Sequence, residues 1–168
     1  MEKVLRLSEE RYALAQQLAH IGSWDWDIRT GALYWSDQIE PMFGFERGEF
    51  AATYEAFLEC VHPDDRQSVI DAVNACIEGE KEYAIEHRIV WPDGTVRWVL
   101  EVGNVVRDAH GRAVRMLGVV QDITERKQAE EKLRQYAEEQ ALLHTIASVV
   151  SASLDPSELL AAVLDTLL

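Results

Sequence analysis

No stretch of this chain approaches the ~20 consecutive apolar residues that span a bilayer. Its first ten residues, Met-Glu-Lys-Val-Leu-Arg-Leu-Ser-Glu-Glu, lack the apolar core and small-residue cleavage site of a secretory leader. Cysteine is scarce, and Cys60 and Cys76 alone make no disulfide framework. Positive charge is short as well: 16 Lys and Arg against 30 Asp and Glu leave a formal charge of −14. Such a surface repels phosphate backbones and anionic lipid, which argues against nucleic acid or a membrane as partner. No Gly-rich phosphate loop, nucleophile–base–orienter set or paired-carboxylate cleft is present, so no catalytic residue is assigned. These absences lead to the expectation of a cytoplasmic protein that is not an enzyme.

What is present suffices for one ordinary domain with flanking helices: 168 residues, 48% hydrophobic and 27% charged. Residues 2–20 carry Val4, Leu7, Leu14, Leu18 and Ile21 on one stripe at helical spacing, and Gly22 reads as its stop. Trp24, Trp26 and Ile28 alternate with polar residues, as in a half-buried strand. Arg29-Thr30-Gly31 turns the chain into a second strand, Ala32 to Trp35. Ser36 or Asp37 then caps a short helical region ending at Met42 and Phe43. A helix is expected over Thr53–Val61 and another from Pro63, with Val69, Ile70, Val73 and Ile77 as its buried face and Gly79 as its end. Three strands follow, Glu82–Trp91, Thr95–Arg107 and Val114–Asp122, separated by Pro92-Asp93-Gly94 and by Asp108 to Gly111. Strands and helices thus segregate, which implies an α+β fold with a five-stranded antiparallel sheet.

The last strand runs into a charged helix without a loop. Asp122 followed by Glu125 is a capping signature, with Thr124 as an alternative cap. From there Ala129, Leu133, Tyr136, Gln140, Leu143, Ala147 and Val150 alternate at spacings of four and three, a heptad seam. The text ends in mid-pattern at Leu168, so the chain is read as a fragment of something longer.

Four local motifs in this order carry a resemblance: Gly22-Ser23-Trp24-Asp25-Trp26-Asp27, His62-Pro63-Asp64-Asp65-Arg66, Asp93-Gly94-Thr95-Val96-Arg97-Trp98, and the ending Asp122-Ile123-Thr124. Together they resemble a PAS domain of bacterial sensor proteins over about residues 21–125. Residues 126–141 then read as a coiled-coil-like linker helix, and residues 142–168 resemble the truncated start of a GAF domain. The resemblance implies a sensory or dimerisation module of a histidine kinase or diguanylate cyclase. Changes in the core would be relayed through the exit helix, with Asp122 and Thr124 as the signal-transfer joint. A homodimer through the flanking helices is expected.

Two alternatives stay open: a receptor for a small molecule or cofactor (haem or flavin), and a structural relay with a filled core. Strand alternation places the candidate pocket between sheet and helices, at Met42, Phe43, Tyr83, Ile85, His87, Met116, Gly118 and Val120. Glycine at position 118 would leave room there. His87 reads either as a core histidine or as a donor to a ligand. The cofactor is unknown. The Asn-Cys-Arg motif of flavin-binding members is missing, as is a histidine on the helix after the His-Pro-Asp-Asp turn, where haem-binding members place one. Cys60, His62, Asp64 and Asp65 lack the second ligand pair of a metal site, and no metal is expected. His144 is followed by Thr145-Ile146-Ala147 rather than the carboxylate and nearby proline of a kinase phosphoacceptor.

Overall fold

The computed structural model describes residues 19–153 without interruption, with Arg11, Leu14 and Gln16 ahead of them. These three residues are helical. The rest of the amphipathic stripe through Leu18, and the chain after Ser153, lie outside the described residues.

Five strands make one antiparallel sheet in the order β2-β1-β5-β4-β3. They are β1 (Ile21–Asp27), β2 (Leu33–Trp35), β3 (Tyr83–Val90), β4 (Val96–Arg107) and β5 (Ala113–Asp122). Between β2 and β3 come α1 (Ile39–Met42), α2 (Tyr54–Cys60), a 3-10 turn at Pro63–Asp65 and α3 (Arg66–Glu78). The sheet is α+β and antiparallel, as the segregated pattern predicts.

Local chemistry explains most boundaries. The Thr53 hydroxyl accepts from the Ala56 amide at 3.2 Å and caps α2. Pro63 opens the 3-10 turn, where its missing amide leaves no unmade bond. Gly79 ends α3 in the left-handed region at φ +83°, which a residue with a Cβ adopts only under strain. In the β3–β4 turn Gly94 has φ +87°, and the Asp93 carboxylate accepts from the Thr95 amide.

Three local expectations are corrected. Gly22 does not end a helix but lies inside β1, paired with Val120. A Cβ there would collide with the Ile39 side chain, so the glycine admits α1 onto the strand. Neither Ser36 nor Asp37 caps α1, whose first flanking residue is Gln38 with no side-chain bond. The Ser36 hydroxyl instead accepts from the Ser23 amide at 2.9 Å and pins β2 to β1. On α3 the fully buried positions are Val69, Val73 and Cys76, while Ile70 and Ile77 are half-buried. The helix is rotated slightly from the face that its isoleucines suggested.

From Arg126 the chain forms a separate unit. It continues the helix α4 (Thr124–Ser153), whose 30 residues extend about 45 Å at 1.5 Å per residue. Its charges pair along its own surface, Arg126 with Glu130 and Arg134 with Glu131 and Glu138. Leu133, Tyr136, Leu143 and Val150 of the heptad seam are all exposed. The helix passes residues 141 and 142 without a break, so the linker and the segment after it share one element.

Candidate functional site

The core lies between the sheet and the four short elements of the β2–β3 connection. At its centre is a cavity of about 30 Å³. A water needs about 10–15 Å³ of such space, so the cavity holds roughly two. Aromatic rings dominate its wall. Trp26 stacks on Tyr54 at 4.5 Å, Trp35 lies against Phe43 at 4.8 Å, and Trp24 meets Tyr83 edge-on at 5.9 Å.

Of the eight predicted pocket residues, Phe43, Tyr83, Met116 and Val120 line this cavity. Met42, Ile85, His87 and Gly118 do not. Met42 lines a separate polar cleft with Trp91, Arg97 and Asp122. Ile85 packs half-buried at the edge of the core, and His87 is fully buried beyond the wall. Gly118 leaves room, but Trp24 occupies it. A Cβ on Gly118 would come within 2.6 Å of the indole and 2.7 Å of Gly103 Cα, and would strike the Val102 carbonyl. The glycine pair 103–118, opposed across β4 and β5, is a seat for a tryptophan.

The charged member of the wall is Glu101 on β4, 4% exposed. Its carboxylate accepts from the Tyr83 hydroxyl at 2.7 Å. The same Oε2 lies 3.9 Å from His87 Nε2, itself buried and without a hydrogen-bond partner. Burial drives the Tyr83 hydroxyl far above its ordinary range, and the Glu101 charge adds to it. For His87 burial works downward, but the Glu101 carboxylate outweighs it and the imidazole is raised above 6.5. Sequence reasoning missed Glu101. On β4 the set Trp98-Leu100-Val102 reads as the apolar face and the set with Glu101 as the polar one, so alternation alone points the wrong set inward. The register Ile85↔Glu101 settles it.

The second site is the junction of β5 with α4. Asp122 accepts from the Thr124 amide at 2.8 Å and from the Arg97 guanidinium at 2.7 and 3.0 Å. Burial raises its pKa, but Thr124 and Arg97 together hold it below the ordinary carboxylate range. The Thr124 hydroxyl accepts from the Trp98 amide at 2.9 Å, and the Ile123 amide donates to the Trp98 carbonyl. Asp122 therefore caps the first helical residue, whereas Thr124 clasps β4; it does not cap the helix. Arg97 also lies over the Trp91 ring, whose indole donates to the Met42 carbonyl at 2.9 Å. A continuous path of bonded groups thus leads from α1 to the first turn of α4.

The acids of the His62-Pro63-Asp64-Asp65 turn are used structurally. Asp65 receives the Arg88 side chain and amide, which holds it down to about 2. Among the described residues no group of three or more His, Cys, Asp or Glu converges as a metal site. The cavity does not fit haem or flavin, since cofactor-sized ligands need about 300–1,000 Å³. No described helix is long and apolar enough to cross a membrane.

An antiparallel sheet covered on one face by short helices, with an aromatic core and a strand running straight into an exit helix, is the architecture of a sensory domain. The family profile described as PAS fold matches residues 32–120, and the chain belongs to the PAS family. The sensor protein FixL of Bradyrhizobium diazoefficiens is 32% identical over 127 residues, 75% of this chain and 25% of FixL. The probable diguanylate cyclase DgcE of Escherichia coli K12 is 28% identical over 151 residues, 90% of this chain and 13% of DgcE. Among solved structures, a sensory box histidine kinase/response regulator from Burkholderia thailandensis shares 35% identity at a TM-score of 0.68, covering 78% of this chain and 98% of that one. The chain spans a quarter or less of these two curated relatives.

Proposed function

We propose that the chain is a non-catalytic sensory and dimerisation module of a longer cytoplasmic signalling protein, with a histidine kinase or diguanylate cyclase as output. The observation that carries this is the junction at Asp122 and Thr124. There the exit helix is tied to β4 by side-chain bonds rather than by a flexible loop. A change in the packing of β4 then changes the strain on the first turn of α4, and a two-state output element follows. Residues 142–168 are proposed to open a GAF domain that lies between this module and the output.

Asp122→Ala combined with Thr124→Ala tests the junction. Losing such bonds typically costs ~1 kcal/mol each, enough to move a switch whose states differ by a few kcal/mol. Basal or stimulated output of the full-length protein is expected to change while a melting curve of this chain still shows a cooperative domain. Unchanged output with a folded core removes the junction from the mechanism.

The dimer is proposed to be parallel and to form through the flanking helices. The exposed seam Leu133, Tyr136, Leu143 and Val150 supports it, as does an outer sheet face carrying Tyr34, Val102, Leu117 and Val119. Light scattering at tens of micromolar is expected to give a dimer, both for this chain and for one ending near Glu139. A monomer in both sinks the proposal.

A second reading, a small-molecule receptor, is favoured by the buried indole nitrogens of Trp24 and Trp26, which have no hydrogen-bond partner. Phe43, Tyr83, Met116 and Val120 would then form its wall. Mass spectrometry of material released from freshly purified protein discriminates between the two.

A further inference from the structure

His87, Glu101 and Tyr83 are three titratable side chains sealed inside the domain, each at most 4% exposed. They connect β3 to β4, with Tyr83 and Glu101 in the cavity wall and His87 just behind it. Their geometry carries an imbalance. His87 Nδ1 faces the Arg88 carbonyl at 3.3 Å and donates to it. A neutral imidazole in that tautomer presents a bare Nε2 lone pair to the Glu101 carboxylate 3.9 Å away, acceptor against acceptor. A second proton turns Nε2 into a donor. The two groups then attract, and the imidazole can close on Oε2, which already holds the Tyr83 hydroxyl.

We propose that this cluster is a buried proton-binding site, and that gaining or losing the His87 proton shifts Glu101 and with it the wall of the cavity. This rests on the sensory reading and names the proton as the chemical input to that module. Other charged and titratable groups act on the cluster from each side. Asp65 approaches from the 3-10 turn with its partner Arg88, Tyr54 from α2 and Cys76 from α3. Asp65 is neutralised by Arg88, and burial pushes Tyr54 up to about 12. Glu101, 3.9 Å from Nε2, is therefore the acceptor that decides the His87 proton. The proton arrives from solvent and leaves to it, and no bond between heavy atoms changes. Glu101 also lines the cavity with Tyr83, Trp24 and Met116. Movement of its carboxylate therefore reaches the aromatic wall directly.

The sign of the pH dependence follows from the direction of the His87 shift. Its raised folded value means that the stabilisation is complete below the ordinary 6.5 and is lost as pH rises through the folded value. The melting temperature of the chain is thus expected to decline as pH rises from 6.5 through the folded value.

The deciding experiment is an NMR titration of the imidazole resonances in the whole chain, with the Trp24 indole proton and Met116 methyl as reporters. His87 is expected to titrate above 6.5, with both reporters moving at the same midpoint. Glu101→Gln keeps the shape but removes the charge. Its His87 midpoint should fall below that of an exposed imidazole, and the reporters should stop responding. Tyr83→Phe removes the competing hydroxyl and should move the midpoint upward, so it carries the test if Glu101→Gln does not fold. A His87 that stays in one state between about pH 5 and 9, or a midpoint common to every folded protein, overturns the proposal. Neither result touches the junction, whose test reads full-length output. Conversely, loss of the junction leaves the titration intact.

Discussion

Gly118→Ala is expected to cost this domain most of its stability. The added methyl has nowhere to go: it meets the Val102 carbonyl, the Trp24 ring at 2.6 Å and Gly103 Cα at 2.7 Å. Two of these three are backbone in a paired ladder, so relief requires β4 and β5 to part. Overpacking in cores typically costs about 1–3 kcal/mol where side chains can yield. Here they cannot, and the total stability of a domain is only about 5–15 kcal/mol. Gly118→Leu should leave no cooperative transition at all. A thermal melt followed by near-ultraviolet circular dichroism checks both variants, because the tryptophan signal reports the seat itself. If Gly118→Ala melts within a few degrees of the parent, the glycine pair does not hold Trp24 as described. Widening residue 118 therefore reports on folding before it reports on any ligand.

The complementary change, Trp24→Ala, should destabilise by about 3–5 kcal/mol, the usual range for deleting a buried aromatic ring. The indole is 8% exposed and packs between the glycine seat and the Tyr83 edge. Removing it joins the vacated space to the existing cavity. The enlarged, mostly apolar chamber should then take up small aromatic molecules that the parent excludes, since dry engineered cavities bind such ligands. Chemical denaturation measures the first effect. Calorimetry with benzene or indole measures the second. A loss below about 1 kcal/mol would mean that the ring is not part of the core. Uptake by the parent equal to that by the variant would mean that the native cavity is larger than 30 Å³.

These two residues show where reading the sequence falls short. Alternation correctly places Met116, Gly118 and Val120 on one face of β5, and from that the glycine reads as space for a ligand. The space belongs to Trp24, directly paired with Gly118 across β1 and β5. No pattern along the chain announces that pairing, because the two residues are 94 positions apart. Glu101 was hidden for a related reason. Its face of β4 carries Arg97 and Arg107 as well and reads as the polar one, and only the partner strand says that this face turns inward. At the junction, Asp122 takes the Thr124 amide, a bond between near neighbours in sequence. Thr124 does not cap the helix, because the Trp98 amide 26 residues away offers it a better partner.

The sequence by itself determined the order of elements, the turns and the α+β class, and its four motifs carried the resemblance to the family. Each rests on local physics: period-two and period-3.6 patterning, glycine at positive φ, proline at a first turn, a carboxylate two residues before an amide. It also determined, through the scarcity of basic residues, that the surface is acidic. Tertiary structure alone decided how full the core is, which face of β4 is buried, and that His87 comes within 3.9 Å of Glu101. Those outcomes depend on side chains from distant strands competing for one volume at close-packed density. A chain read one residue at a time contains no term for that competition.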